Sequence, residues 1–299
     1  MSDVLLVDIP EGFAEGLVNR FGKRAEEWLE SVPRLLSDRL GAWGLSLEDE
    51  PILHGAMGLI FFVKKGEEKL VLKLSWLDDL TESENEALKI WGGNGAVKLL
   101  EYDAGTHASL MERLSSESLN DIDIVSAGVE AGKLIKKLGV VVEDGFPRLD
   151  ARLGVIESEL SERRSEFGDS VFNWELIKEL ILRRAEEIHS FLAHGDIGYS
   201  NILRADGGSW KAIDPKPMLG DLEFSVPELM WDRIDELQDD EIIEHLERIV
   251  ASGELDRQKA IEWTIIRAAD YYFWGLEHGL TIDPPRCLRL YKTLVGEVV

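Results

Sequence analysis

Cysteine is nearly missing: Cys287 stands alone in 299 residues. That excludes an intrachain disulfide framework and any zinc site built on thiolates. Basic residues are scarce beside acidic ones, 33 against 58, for a net charge of −25. A surface of that sign repels phosphate backbones and anionic lipid headgroups, which argues against nucleic-acid or membrane binding as the main function. Cationic ligands, or anions delivered with a metal, fit better. The acidity has two open explanations, such a ligand and a salt-rich or hot habitat. No apolar run reaches the roughly 18 residues of a membrane helix, and Met1–Pro10 lacks the basic start and apolar centre of a signal peptide. A soluble, unprocessed, cytoplasmic protein is expected, monomeric in its simplest form. Repeats and low-complexity tracts are missing too, which argues against a solenoid. What is present is a chain with 44% hydrophobic residues, enough for a full core and, at roughly 150 residues per domain, for about two lobes.

Phe13, Leu17, Phe21, Trp28 and Leu29, then Leu35, Leu36 and Leu40, recur at helical spacing, with Pro33 and Gly41 as punctuation. Two amphipathic helices are expected over 12–43. Two β-type runs follow, Leu59–Val63 and Leu70–Leu74, joined by a polar glycine-containing connection that predicts an antiparallel hairpin. Thr81 and Glu84 have capping-box spacing, and Ala87, Leu88, Ile90 and Trp91 give the following helix its apolar face. Val97–Tyr102 and Ser109–Met111 read as two more strands. Beyond Leu114 the periodicity turns helical, over 121–138, 150–165, 172–193, 226–236, 240–251, 256–279 and 284–296. An α+β chain is expected, with an antiparallel-sheet N-terminal lobe over 1–113, preceded by the two helices, and a mainly helical C-terminal lobe over 114–299.

One segment interrupts the helical part. His194-Gly195-Asp196 is followed by Asn201 and then, past a turn at Asp206-Gly207-Gly208, by Ile213-Asp214-Pro215. Phosphoryl transfer needs a carboxylate beside the acceptor hydroxyl and oxygen ligands that hold Mg²⁺ against the phosphates. Asp196 supplies the first, Asn201 and Asp214 the second. Taken singly, each also reads as an ordinary turn-capping residue. The same chemistry asks for a strand lysine on the α- and β-phosphates and a helical glutamate to position it. Lys73, within Val71-Leu72-Lys73-Leu74, is the lysine, and Glu86 is the preferred partner, with Glu84 and Glu82 as rivals. Gly55 and Gly58 form a turn ahead of Lys73 whose backbone N–H groups suit an anion. Met111, Glu112 and Arg113 end the strand-rich part as a connector for the adenine edge.

These residues resemble the aminoglycoside phosphotransferase superfamily of small-molecule kinases, which share the bilobal protein-kinase-like fold. Within it, Glu86-Ala87-Leu88 with Trp91-Gly92, Gly95 to Leu100, Met111 to Leu114 and above all Ile213-Asp214-Pro215-Lys216-Pro217 resemble the streptomycin 6-phosphotransferase and hydroxyurea-resistance kinase branch. The resemblance spans about residues 12–280. It implies ATP and Mg²⁺ as cofactors, Asp196 as catalytic base, Asn201 and Asp214 as metal ligands, and Lys73 with Glu86 as the phosphate-positioning pair. Ile197-Gly198-Tyr199-Ser200 depart from the family's usual residues between the Asp and the Asn, which bears on substrate contacts near Tyr199.

For the acceptor, residues 219–240 hold eight acids in 22 positions. One reading is a cage for a polycationic antibiotic, built from Asp221, Glu228 and Asp232 with Trp231 stacking on the ligand and Asp270, Tyr271 and Trp274 joining from a later helix. The other is a solvated acidic helix face. The expected activity is ATP- and Mg²⁺-dependent phosphorylation of a hydroxyl on a small molecule, aminoglycosides such as streptomycin included. A metabolic kinase for a sugar or amino-alcohol is the alternative. A regulatory pseudokinase is disfavoured by the intact Lys73, Asp196, Asn201 and Asp214, and a protein kinase by the lack of Asp-Phe-Gly and Ala-Pro-Glu motifs.

Overall fold

The structure, a computed structural model, describes residues 7–76, 79–167, 171–186 and 188–298, with backbone alone at 79–82 and 165–167. The chain divides into two compact units, Met1–Gly93 with Val97–Leu114, and Asn94–Ala96 with Ser115–Val299.

The first unit opens with α1 (Glu11–Phe21) and α2 (Lys23–Trp43). Gly22 separates them at φ +61°, whereas the punctuation read at Pro33 lies inside α2. Proline there removes one backbone donor, and the burial of Val32, Leu35 and Leu36 around it holds the helix together. There follow β1 (Ser46–Leu47), β2 (Leu53–His54), β3 (Gly58–Lys65), β4 (Glu68–Ser75), α3 (Asp79–Trp91), β5 (Leu99–Asp103) and β6 (Ala108–Glu112). The sheet is antiparallel in the order β1-β3-β4-β6-β5, with β2 also on β3. Leu59, Phe61 and Val63 of β3 and Leu70, Leu72 and Leu74 of β4 alternate inward onto Phe13, Leu17, Trp28 and Leu36 of the two helices. Each such side chain contributes about 1.5–3 kcal/mol by its burial, so this face fixes the strand register. The register in turn puts Lys73 opposite Ile60 on one side and Ser109 on the other. Helix α3 is described from Asp79, so Thr81 already has helical backbone, and its side chain, which the expected capping box needs, lies outside the described residues.

The second unit contains α4 (Ile124–Leu138), β7 (Val140–Val141), α5 (Leu149–Phe167), α6 (Trp174–Glu186), β8 (Phe191–Ala193), β9 (Ile202–Arg204), β10 (Trp210–Ala212), β11 (Met218–Gly220), α7 (Val226–Asp232), α8 (Asp239–Gly253), α9 (Arg257–Glu277) and α10 (Asp283–Leu294). Helix α9 is buried on nearly every face, through Ile261, Trp263, Ile265, Ile266, Ala269 and Phe273, and is the axis of the unit. The expected single helix over 172–193 stops at Glu186, and its last residues form β8, paired antiparallel with β7 and β11. A three-residue apolar run carries no period that distinguishes strand from helix. The helix expected over 226–236 ends at Asp232, with a 3-10 turn at Ile234–Glu236 beyond it. What these short strands do for function is local: β8 delivers the chain to His194, while the β9–β10 hairpin starts just after Asn201 and ends just before Ile213-Asp214. No helix among the described residues is long and apolar enough to cross a membrane.

Candidate active site

In the first unit the Lys73 ammonium donates to both carboxylate oxygens of Glu84, at 2.7 and 2.8 Å, and both residues are buried. Burying either charge alone would be strongly unfavourable, so each requires the other. Glu86, the partner preferred from sequence, is exposed and bonds Lys89 at 2.6 Å. The reason is helical geometry: residues two apart point about 200° from one another, so one glutamate faces β4 and the other faces water. The Glu82 side chain lies outside the described residues. Asn85, next to Glu84, accepts from the Ser109 hydroxyl at 2.7 Å and ties α3 to β6 beside Lys73.

The Gly55–Gly58 turn is closed by Gly55 N–H donating to Gly58 O at 3.1 Å. A side chain at Gly58 would meet Leu74 O at 3.2 Å and Lys73 Cε at 3.3 Å, so the turn rests directly on the lysine. In the connector, Met111 is buried and Glu112 N–H donates to Lys98 O at 3.0 Å. Arg113 bonds Glu48 at 2.6 Å and Glu50 at 2.8 Å and lies 4.2 Å above the Phe62 ring. Its side chain is therefore a clamp within the first unit.

The second unit gathers Asp196, Asn201 and the Ile213-Asp214 corner around one buried histidine, His194. His194 Nε2 donates to Ile213 O at 3.1 Å and Nδ1 accepts from Asp196 N–H at 3.4 Å, which fixes a neutral tautomer. Burial holds its pKa down at about 4, against the nearby Asp196 and Asp214 carboxylates, which favour the cation. Asn201 Nδ2 donates to Asp196 O at 2.9 Å, and Ile213 N–H donates to Asn201 O at 2.9 Å. These bonds put Asp196, Asn201 and the Ile213-Asp214 corner side by side. Asp214 is exposed and sits at φ +56°, a left-handed conformation that is strained for a non-glycine residue and clusters at functional sites. Two hard oxygen donors, Asn201 and Asp214, on adjoining backbone suit Mg²⁺, which takes few protein ligands and completes its octahedron with water and phosphate.

Lys216 lies in the same motif, between Pro215 and Pro217. Its Nζ donates to Asp196 Oδ2 at 2.7 Å. Burial works against its charge, but Asp196, Asp214 and Glu228 outweigh it and raise its pKa. Lys216 N–H donates to His194 O at 2.9 Å, and Gly195, at φ +78°, has Lys216 O only 2.0 Å from where a Cβ would be. Only glycine allows the two segments to lie together. The signal available in sequence was the pattern Pro215-Lys216-Pro217, two buried prolines around one exposed lysine.

The acidic residues separate into two groups. Glu228 and Asp232, one turn apart on α7, both border Gly198: a Cβ there would meet Glu228 Oε1 at 3.2 Å and Asp232 Oδ2 at 3.7 Å. Burial, then the Asp196 charge, raises the Glu228 pKa to about 8. Burial raises that of Asp232 as well. Asp221 and Asp270 do not belong with them. Asp221 is fully buried, accepting from Trp263 Nε1 at 3.0 Å and pairing with His189 at 2.8 Å and Lys259 at 3.3 Å. Asp270 is held by Arg163 at 3.0 Å and Arg152 at 3.2 Å. Both carboxylates serve the unit's interior. Trp231, expected to stack on a ligand, is buried with its ring on Tyr271 (5.0 Å, 15°), which stacks on Trp274 (5.3 Å, 11°), which stacks on His278 (4.1 Å, 22°). The Trp231 indole is enclosed at the inner end of that ladder, whereas Trp274 is 39% exposed. Tyr199 is also buried, its hydroxyl 2.9 Å from His245 Nε2, and anchors the 196–201 loop to α8.

Comparison with known proteins gives the family and the fold. The family model described as "Aminoglycoside/hydroxyurea antibiotic resistance kinase" matches residues 43–279. A streptomycin 6-kinase of Streptomyces glaucescens is 28% identical, over 99% of this chain and 100% of that protein. A hydroxyurea phosphotransferase of Kitasatospora aureofaciens is 29% identical, over 97% of this chain and 87% of its own. Among solved structures, a thermostable mutant of aminoglycoside phosphotransferase APH(4)-Ia in ternary complex with AMP-PNP and hygromycin B aligns with a TM-score of 0.62 at 16% identity, over 89% of this chain and 98% of that one. Choline kinase LicA from Streptococcus pneumoniae aligns with a TM-score of 0.57 at 16% identity, over 89% and 99%. Both likenesses establish the protein-kinase-like fold.

Proposed function

The chain belongs to the aminoglycoside/hydroxyurea antibiotic resistance kinase family, and from that premise we propose that it is an ATP- and Mg²⁺-dependent kinase for a hydroxyl of a cationic aminoglycoside, with streptomycin as the first acceptor to test. The observation that carries the reading is the closed hydrogen-bond circuit His194–Asp196–Asn201–Ile213, which sets one carboxylate and two further oxygen donors in fixed relation. Residues 1–113 position the nucleotide phosphates and residues 114–299 carry the transfer chemistry. Lys73, aimed by Glu84, neutralises phosphate charge, and the Gly55–Gly58 turn offers backbone N–H groups to it. Met111 to Arg113 present backbone to the adenine edge. Asn201 and Asp214 would hold Mg²⁺, which would supply positive charge against the phosphate oxygens. Asp196 accepts a hydrogen bond from the acceptor hydroxyl and takes its proton as the oxygen attacks the γ-phosphorus. Glu228 and Asp232, beside the same loop, recognise ammonium or guanidinium groups on the acceptor, whose positive charge draws the proton off the Glu228 carboxyl.

The test is ADP release with Mg-ATP against streptomycin, other aminoglycosides, hydroxyurea and simple amino-alcohols, with Asp196→Asn as control. Stimulation by streptomycin that disappears in the variant is the expected result. Stimulation by amino-alcohols alone replaces the antibiotic reading with the metabolic one, and stimulation by none rejects both.

A further inference from the structure

Lys216 is the cation that touches the proposed base, and its placement is built rather than incidental. Pro215 and Pro217 are buried on either side of it, each with a ring-fixed φ, and the Lys216 backbone is locked to His194 and Gly195. Only the side chain is left exposed, and it reaches Asp196 Oδ2 at 2.7 Å. A stabilising role does not account for this arrangement. Lys216 is 58% and Asp196 25% exposed along their side chains, and pairs of that kind contribute about 0–1 kcal/mol. The Asp196 carboxylate touches the Lys216 ammonium and Asp214 lies two residues away along the chain, and a nucleotide phosphate entering there adds more negative charge.

We propose that Lys216 is a further catalytic residue, whose ammonium stays on Asp196 and donates a second hydrogen bond to the γ-phosphoryl oxygens during transfer. This rests on the kinase reading above. In the step itself, the acceptor oxygen forms a bond to the γ-phosphorus and its proton moves to Asp196. The bond from that phosphorus to the β,γ-bridging oxygen breaks, and ADP leaves with the electron pair. Lys216 remains protonated throughout, and its charge offsets that of the three equatorial oxygens where it is greatest.

The experiment compares Lys216→Met, Lys216→Arg and wild type in two assays: kcat and KM with Mg-ATP and streptomycin, and the affinity for Mg-ADP with and without aluminium fluoride, which mimics the planar phosphoryl group. Lys216→Met is expected to lower kcat on the order of 100-fold, leave the KM for ATP within about threefold, and lose the tightening of ADP by fluoroaluminate. Lys216→Arg, which keeps the charge, is expected to recover a substantial part of both. Unchanged ADP affinity shows that the variants are folded. A Met variant that retains kcat or the fluoroaluminate tightening overturns the proposal, as does a wild-type protein in which fluoroaluminate has no effect. If streptomycin proves not to be an acceptor, the acceptor reading fails alone, because the fluoroaluminate comparison uses no acceptor.

Discussion

Both carboxylate oxygens of Glu84 accept from the Lys73 ammonium, at 2.7 and 2.8 Å, with the side chains only 10% and 11% exposed. Removing one partner of such a pair strands the other charge, at a cost of about 3–5 kcal/mol. Glu84→Gln is therefore expected to lower the unfolding free energy by a few kcal/mol and to raise the KM for ATP. Glu86→Gln is expected to change stability by less than about 0.5 kcal/mol, as at ordinary surface sites. Urea denaturation and ADP-release kinetics on the two variants check this; a reversed order would place Glu86 on the lysine.

The acidic residues after Asp214 call for a similar separation. Asp221 pairs with buried cations and the Trp263 indole, so Asp221→Ala is expected to cost about 3–5 kcal/mol of stability. Acceptor KM in the remaining folded enzyme should not move. Glu228→Gln and Asp232→Asn are expected to raise the acceptor KM roughly tenfold, with smaller effects on the melting temperature. Calorimetry alongside acceptor titrations decides, and an acceptor KM that follows Asp221 but neither α7 carboxylate would refute the assignment.

His245 links stability to pH. Burial, then the Arg248 and Arg233 charges, lowers its pKa to about 4, from an ordinary value of 6.5. The folded protein thus binds fewer protons here than the unfolded chain between these values. Its contribution is complete above about pH 6.5 and is lost as the pH falls toward 4, a swing of about 3 kcal/mol. His194 acts in the same direction. Glu228, with its pKa raised to about 8, acts in the opposite one, stabilising at low pH and losing that contribution as pH rises through 8. Urea midpoints from pH 7 to 4.5 should therefore fall less steeply for His245→Gln than for wild type. An unchanged slope would mean that His245 does not bind a proton on unfolding.

The grouping of Asp196, Asn201 and Asp214 was legible because it is local: the three occupy one short stretch, and hydrogen bonds within that stretch bring them together. The strands around Lys73 were legible for the same kind of reason, since Leu59–Val63 and Leu70–Leu74 bury alternate residues on a helical layer. Glu84 was not, because a helix with several glutamates discloses its inward face only once it is docked on the sheet. Asp221 and Asp270 were misread since acidic composition is the same whether a carboxylate meets water, a ligand or an arginine from a helix far along the chain. Trp231 was misread likewise, its partner Tyr271 being 40 positions away. The β8 strand, three residues long, became a strand only through its neighbours β7 and β11.

Asp196 is proposed to receive the acceptor proton, and the most direct test is single-turnover phosphoryl transfer from Mg-ATP to streptomycin by Asp196→Asn, with nucleotide affinity measured in parallel. The expected result is a loss of about 10²–10⁴ in the transfer rate with ATP affinity within about threefold of wild type. A loss of less than about tenfold, at unchanged affinity, would contradict it.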